Sequence, residues 1–148
     1  MMDRFTRGLA AGAVVGMLID LLSLLSYNVF RFTQWRFLDF AGLIIFGRKP
    51  AGTGEIIVSI MGQIAFSAAV GVLFAYLLPL ITSRNYLLKG WFFGVLTWFS
   101  IYAVFHLFQI PQLLQLDLGT VITNIVKASL FGLGLAWLLA RLGSNTPV

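Results

Sequence analysis

The chain contains no cysteine, a single histidine and only five acidic residues. Without cysteine there are no disulfides, thiolate metal ligands or cysteine nucleophiles. One histidine, His106, excludes a multi-histidine metal site and the HExxH helix of zinc peptidases. No serine lies in a GxSxG elbow. The glycine-rich stretch Gly47-Arg48-Lys49-Pro50-Ala51-Gly52-Thr53-Gly54 lacks the GxxxxGK[ST] pattern of a phosphate loop. It reads as a turn into a helix with Thr53 as N-cap. No row of arginines suggests a voltage sensor. These absences point away from an enzyme and imply no cofactor and no metal.

Charge is scarce as well. Charged residues make up 10% of the 148, against about 25% in soluble domains. That is too few for a surface facing water on all sides. Hydrophobic residues reach 59%. Ten Lys and Arg outnumber the acids, giving a net charge of +5. The basic residues mostly flank apolar runs, so they suit anionic lipid head groups rather than nucleic acid.

Four runs are long enough to cross a hydrocarbon layer of about 30 Å as helices. They cover residues 7–29, 56–81, 87–108 and 118–140. The runs are continuous, without the period-two alternation of barrel strands. The expected fold is all-α: one integral membrane domain, 1–148, built as a four-helix bundle. The first run lacks a small-x-small cleavage site and is expected to be retained. The connection after it holds Arg31, Phe32, Trp35, Arg36, Phe37, Asp39 and Phe40, then about ten residues of mostly apolar chain, too short to span. Aromatics mixed with arginine predict a short interfacial helix over about 35–47. The two later connections, 82–86 and 109–117, are short, which predicts antiparallel neighbours. An even span count puts both termini on one side. The basic residues tilt that side toward the cytoplasm of a plasma membrane.

The spans carry an internal echo. Arg7-Gly8-x-x-x-Gly12 opens the first and Lys89-Gly90-x-x-x-Gly94 the third. Gly71, Ala75, Tyr76, Leu77 and Leu78 of the second align with Gly132, Ala136, Trp137, Leu138 and Leu139 of the fourth. Two repeated helical hairpins follow, related by an axis along the membrane normal. Small residues recur at four-residue spacing: Gly8, Gly12 and Gly16, running on to Asp20; Glu55, Ser59, Gln63, Ser67, Gly71 and Ala75; Gly90 and Gly94. The fourth span offers Thr120, Thr123, Asn124, Lys127 and Gly134 on one broad face. Such stripes let helices pack closely in lipid. The glycines Gly8, Gly12, Gly16, Gly71, Gly90, Gly94 and Gly132 are therefore read as helix-packing residues.

Asp20 and Lys127 lie well inside apolar spans, where a charge costs at least about 2.5–3.5 kcal/mol. Each sits two residues from the centre of its span, toward the same side, a displacement of roughly 3 Å. Equal depth predicts an ion pair between the first and fourth spans. Gln63, Asn124, Tyr102 and His106 fall in the same half of the bilayer, making a polar intramembrane cluster. Glu55, Asp39 and Asp117 are expected near its mouth.

The basic GxxxG openings, the acid in the first span, and Lys89-Gly90-x-x-x-Gly94 followed by Trp98 resemble the YqhR-like small four-span membrane proteins of endospore-forming bacteria. That resemblance implies a bacterial plasma-membrane location and no particular activity. Two functional readings follow from the residues. One is a non-enzymatic scaffold or accessory subunit of a membrane complex. The other is a small oligomeric transporter or channel using Asp20 and Lys127. The partners expected are membrane lipids and either a second copy or a subunit of a membrane complex.

Overall fold

The computed structural model describes residues 2–31, 33–81 and 84–143. Phe32 and Thr82, which the sequence placed in connections, lie outside the described residues. Five helices account for the architecture: α1 (Arg4–Asn28), α2 (Phe37–Phe46), α3 (Thr53–Leu77), α4 (Tyr86–Leu107) and α5 (Leu118–Gly143). A 3₁₀ turn at Leu78–Leu80 extends α3, and another at Pro111–Leu113 follows α4. All but α2 are long and apolar enough to cross a membrane.

The helix ends follow local chemistry. Asp3 caps α1 by accepting the Thr6 N–H at 2.7 Å, and Asn85 caps α4 through the Leu88 N–H. Asp117 does the same for α5, accepting the Thr120 N–H at 2.9 Å. At the start of α3 the expectation fails. Gly52, not Thr53, is the cap residue, and Thr53 is the first helical residue. The Glu55 carboxylate takes the Ala51 N–H instead and pairs with Arg48. A side chain one turn inside the helix replaces the hydroxyl cap.

Packing is organised by two glycine seams. α1 lies against α3 and α5, and α4 lies against α5. A Cβ built at Gly8 would lie 2.9 Å from the Ala75 Cβ, and one at Gly12 would land on the Ser67 carbonyl oxygen. A Cβ at Gly71 would strike the Gly8 carbonyl and the Gly12 Cα. The α4/α5 seam repeats this contact for contact. Gly90 faces Ala136, Gly94 faces the Ala128 carbonyl, and Gly132 meets the Gly90 carbonyl and the Gly94 Cα. The aligned residues thus make equivalent contacts in the two halves. Tyr76 and Trp137 also correspond, and each ring carries a guanidinium, from Arg4 and Arg141 respectively.

The neighbour relations differ from expectation in one respect. α3 and α4, although joined by a short connection, are not a closely packed pair. Their small faces are already turned to α1 and α5. What closes the square between them is the stacked pair Phe74 and Phe93, with ring centroids 4.7 Å apart. These rings sit with Ala11, Leu135 and Ala136 at the end of the bundle that carries the termini.

At the opposite end the gap between α3 and α4 is filled by α2. Its residues Ala41 and Ile45 flank Gly62, and Gly42 meets Ser59 and Pro50. Phe40 stacks on Phe105 at 5.9 Å, while Trp35, Leu43, Phe105 and Leu113 form a second apolar cluster. Ile44 faces outward, 72% exposed. The short helix expected in the first connection is therefore present, with one face docked into the bundle. Its first residue donates Phe37 N–H to Ser23, five residues before the end of α1 and so roughly 7.5 Å below it.

Candidate functional site

Asp117, Thr120, Asn124 and Lys127 follow one another at spacings of three and four along α5. Thr120, Asn124 and Lys127 are all buried. A helix places residues so spaced on one face. They form a polar file running from the loop end into the middle of the bundle.

At the outer end, Thr120 is completely buried and fully used. Its hydroxyl donates to Asp117 Oδ1 at 2.5 Å, lies 3.0 Å from the Thr33 hydroxyl, and accepts the Gln34 N–H at 3.1 Å. Partial burial works to raise Asp117, but the Thr120 hydroxyl and N–H outweigh it and hold the carboxyl below its ordinary value. One turn further in, the Asn124 amide donates to the Tyr102 hydroxyl at 3.0 Å. Trp98 packs on the Tyr102 ring with centroids 4.9 Å apart. The Asn124 Oδ1 and the Trp98 indole nitrogen are buried without hydrogen-bond partners.

Lys127 is the innermost member. Its ammonium donates to Ser23 Oγ at 3.1 Å and lies 5.1 Å from the centroid of the Phe37 ring. Ser23 also accepts the Phe37 N–H at 2.9 Å, so one hydroxyl ties together α1, α2 and α5. Asp20 sits one turn away from Ser23 on α1. Both of its carboxylate oxygens are buried with no hydrogen-bond partner.

The ion pair expected between Asp20 and Lys127 is thus not a contact pair. Lys127 is bonded instead to Ser23, one turn along α1 from Asp20. The physical reason is competition. A hydroxyl and an aromatic face can hold an ammonium, and both lie in its path.

The rest of the expected cluster divides. Asn124 and Tyr102 belong to it by direct bonding. The seam register, in which Gly8, Gly12 and Gly16 meet Ala75, Gly71 and Ser67, sets Gln63 opposite Asp20 on the next turn. Gln63 is half-buried there. His106 does not join. It is exposed, and its Nδ1 lies 3.0 Å from the Tyr102 carbonyl oxygen of its own helix. Being the last-turn basic residue of α4, it finishes the helix rather than lining the interior. Glu55 is held by Arg48 at the α3 start, and Asp39 by Arg36 in a two-pronged pair. That pairing raises Arg36 above its ordinary value. Asp39 is buried at the start of α2 rather than open at a mouth.

Sequence reasoning missed Ser23, Phe37 and Thr33. Ser23 could have been found, since it lies three residues from Asp20 on the same helical face. Phe37 and Thr33 reach the site through an irregular connection that has no periodicity to read. Among the described residues there is no group of three or more His, Cys, Asp or Glu that could hold a metal.

The fold and its four spanning helices define a multi-pass α-helical membrane protein. Comparison with protein-family models, curated proteins and solved structures finds no match for this chain.

Proposed function

We propose that this protein is a non-enzymatic accessory subunit of a membrane complex, held there by a transmembrane helix of a partner. One observation carries the reading. The outer face of the α1/α3 pair bears an open apolar groove of about 650 Å³. Ala13, Ala65, Ala68 and Ala69 line it together with larger residues that include Phe5 and Met61. Ala65 and Ala69 are exposed and one turn apart. Most of the remaining lipid-facing surface is made of large side chains such as Leu18, Leu21, Phe92 and Phe99, although α4 also exposes Ser100 and Ala103. Lipid tails are indifferent to small residues, whereas a neighbouring helix needs them for close approach. The resemblance to YqhR-like proteins supports a bacterial plasma membrane as the location.

Filling the groove tests this. The pair Ala65→Phe and Ala69→Phe should release the chain from its complex in native membranes, read as a shift to the free chain on native gels. Phe99→Leu on α4, outside the groove, should leave the complex intact. A wild-type chain that already migrates alone, or a filled groove that keeps the complex, would refute the proposal. Because the chain has no cysteine, Ala69→Cys also reports directly on self-association. A disulfide-linked dimer would identify the partner as a second copy.

The unbonded Asp20 carboxylate favours a second reading, a small oligomeric transporter. Proton or ion flux in proteoliposomes, compared between wild type and Asp20→Asn, separates the two.

A further inference from the structure

Asp20 is 8% exposed, yet neither of its oxygens has a hydrogen-bond partner. A bare carboxylate anion in such surroundings is strongly unfavourable. A charge that is buried without bonds is normally neutralised or paired in contact.

The groups around it are few. From α5 comes Lys127, 2% exposed. α3 contributes Gln63 in register, flanked by Ser59 and Ser67, with no ionisable side chain at this level; its Glu55 is held at the helix start by Arg48. From α2 come the Phe37 ring and Asp39, the latter closed on Arg36. α4 supplies the Tyr102 hydroxyl, which accepts from Asn124. On α1 itself the neighbour is Ser23.

Lys127 is therefore the charged group free to answer a change on Asp20. It has alternative seats. Residues three apart on a helix are neighbours about 5–6 Å apart, so an ammonium on Ser23 has the Asp20 carboxyl within a short swing. Its three N–H donors leave it able to serve either group.

We propose that Asp20 is a proton-binding site inside the membrane, and that Lys127 moves between Ser23 and the carboxylate as the proton binds and leaves. While the carboxyl carries the proton, Lys127 rests on Ser23, the seat it occupies here. On release the carboxyl O–H bond breaks and the proton passes to water at the loop end. Lys127 keeps its own three protons and pairs with the carboxylate. The charge of the cluster falls by one.

Polar side chains lead from the site in one direction only among the described residues. The file Asp117, Thr120, Asn124 and Lys127 spans ten residues, about 15 Å, roughly half of the ~30 Å hydrocarbon layer. Toward the terminal end the interior is closed by Ala11, Phe74, Leu135 and Ala136, with Phe93 packed on them. The geometry is that of a proton-operated charge switch rather than a through-path. Since Ser23 also holds the first N–H of α2, the lysine's position bears on how α2 is seated. The proposal does not depend on the α1/α3 groove, and its test uses the isolated chain.

The test is pH-difference infrared spectroscopy of the chain in phosphatidylcholine vesicles, wild type against the isosteric Asp20→Asn. A protonated-carboxyl C=O band should be present at neutral pH, be lost in Asp20→Asn, and bleach as pH rises. Ser23→Ala removes the rival seat, so bleaching should begin at a proton concentration at least tenfold higher. Lys127→Met should shift it at least tenfold the other way. If Lys127→Met does not fold, the Ser23→Ala shift decides. No Asp20-dependent band at neutral pH, or a band that never bleaches, would overturn the site. An unchanged midpoint in Ser23→Ala would overturn the role of Lys127. Sustained proton flux through wild-type vesicles would overturn the one-ended geometry.

Discussion

Replacing Gly132 by alanine adds one carbon to a seam that has no room for it. The new Cβ would land on the Gly90 carbonyl oxygen, with the Gly90 carbonyl carbon at 2.8 Å and the Gly94 Cα at 3.0 Å. All three are backbone, so no rotamer change relieves the clash and α4 must move off α5 by something near 1 Å. Overpacking of this kind costs about 1–3 kcal/mol. Against it stands the better helix propensity of alanine, worth up to about 1 kcal/mol. A clash against backbone puts the cost at the upper end of that range, about 3 kcal/mol, so the net loss is about 2 kcal/mol, or roughly 4–8 °C in melting temperature for a chain of this size. Gly54 provides the control: a Cβ there meets nothing within 4 Å, so Gly54→Ala should gain stability. Gly134 lies between these limits, since its Cβ would meet only the ends of the Val15 side chain. The repeat adds a sharper demand. Gly71→Ala, in the equivalent place, should fall beside Gly132→Ala, within about 1 kcal/mol. Thermal melts in one mild detergent supply all four values. If Gly132→Ala and Gly71→Ala melted with the wild type, the close-packed seams would be wrong. If only one of them lost stability, the equivalence of the halves would fail.

Three further outcomes follow. Thr120→Val removes the hydroxyl that joins Asp117, Thr33 and the Gln34 N–H, so chemical denaturation should show a loss of about 1–3 kcal/mol. Ser23→Ala strips the acceptor of the Phe37 N–H, and hydrogen exchange of the first-turn amides of α2 should accelerate by about tenfold, with α4 amides unchanged. The stability that Asp117 lends depends on pH in a fixed direction. Its folded carboxyl is held below the ordinary value of 3.8, so the contribution is whole above that value and is lost as pH falls through the lowered one. Asp117→Asn should therefore flatten the acid limb of a melting-temperature profile taken from about pH 5 downward; a limb as steep as that of wild type would contradict it.

The four spans were legible because length and continuity of apolar sequence are themselves what a bilayer demands. The seams were legible for a similar reason. A Gly8/Gly12/Gly16 row has little use except close approach, and the four-residue spacing names the face. What the sequence could not show is which seams meet. Short connections suggested that α3 and α4 would pair, yet each had already spent its small face on another helix, and Phe74 and Phe93 fill the space left between them. Equal depth pointed to an Asp20–Lys127 ion pair, where the structure has Lys127 on Ser23. It could not reveal Ser23 and Phe37 as rivals for the ammonium, because one is a common residue in an apolar run and the other arrives by an irregular segment.

The two ends of the bundle solve opposite problems, and that division bears on what the protein can do. Around the termini, glycine carbonyls and Cα atoms touch across both seams and the interior is sealed by Ala11, Phe74 and Leu135. Packed backbones of this kind leave little freedom to rearrange. Toward the loops α2 packs on α3, and the side chains there are joined by hydrogen bonds that can be exchanged. A single hydroxyl, Ser23, is shared by a helix N-terminus and a buried lysine. A change of charge at Asp20 would therefore be absorbed on the loop side, by Lys127 and α2, while the glycine seams stay fixed. The groove that we assign to a partner lies on the α1/α3 pair, and α2 packs on α3 beside it through Gly62. Movement of α2 is thus a route by which the buried acid acts on the surface offered to a partner, beside the direct one along α1, which carries both Asp20 and Ala13.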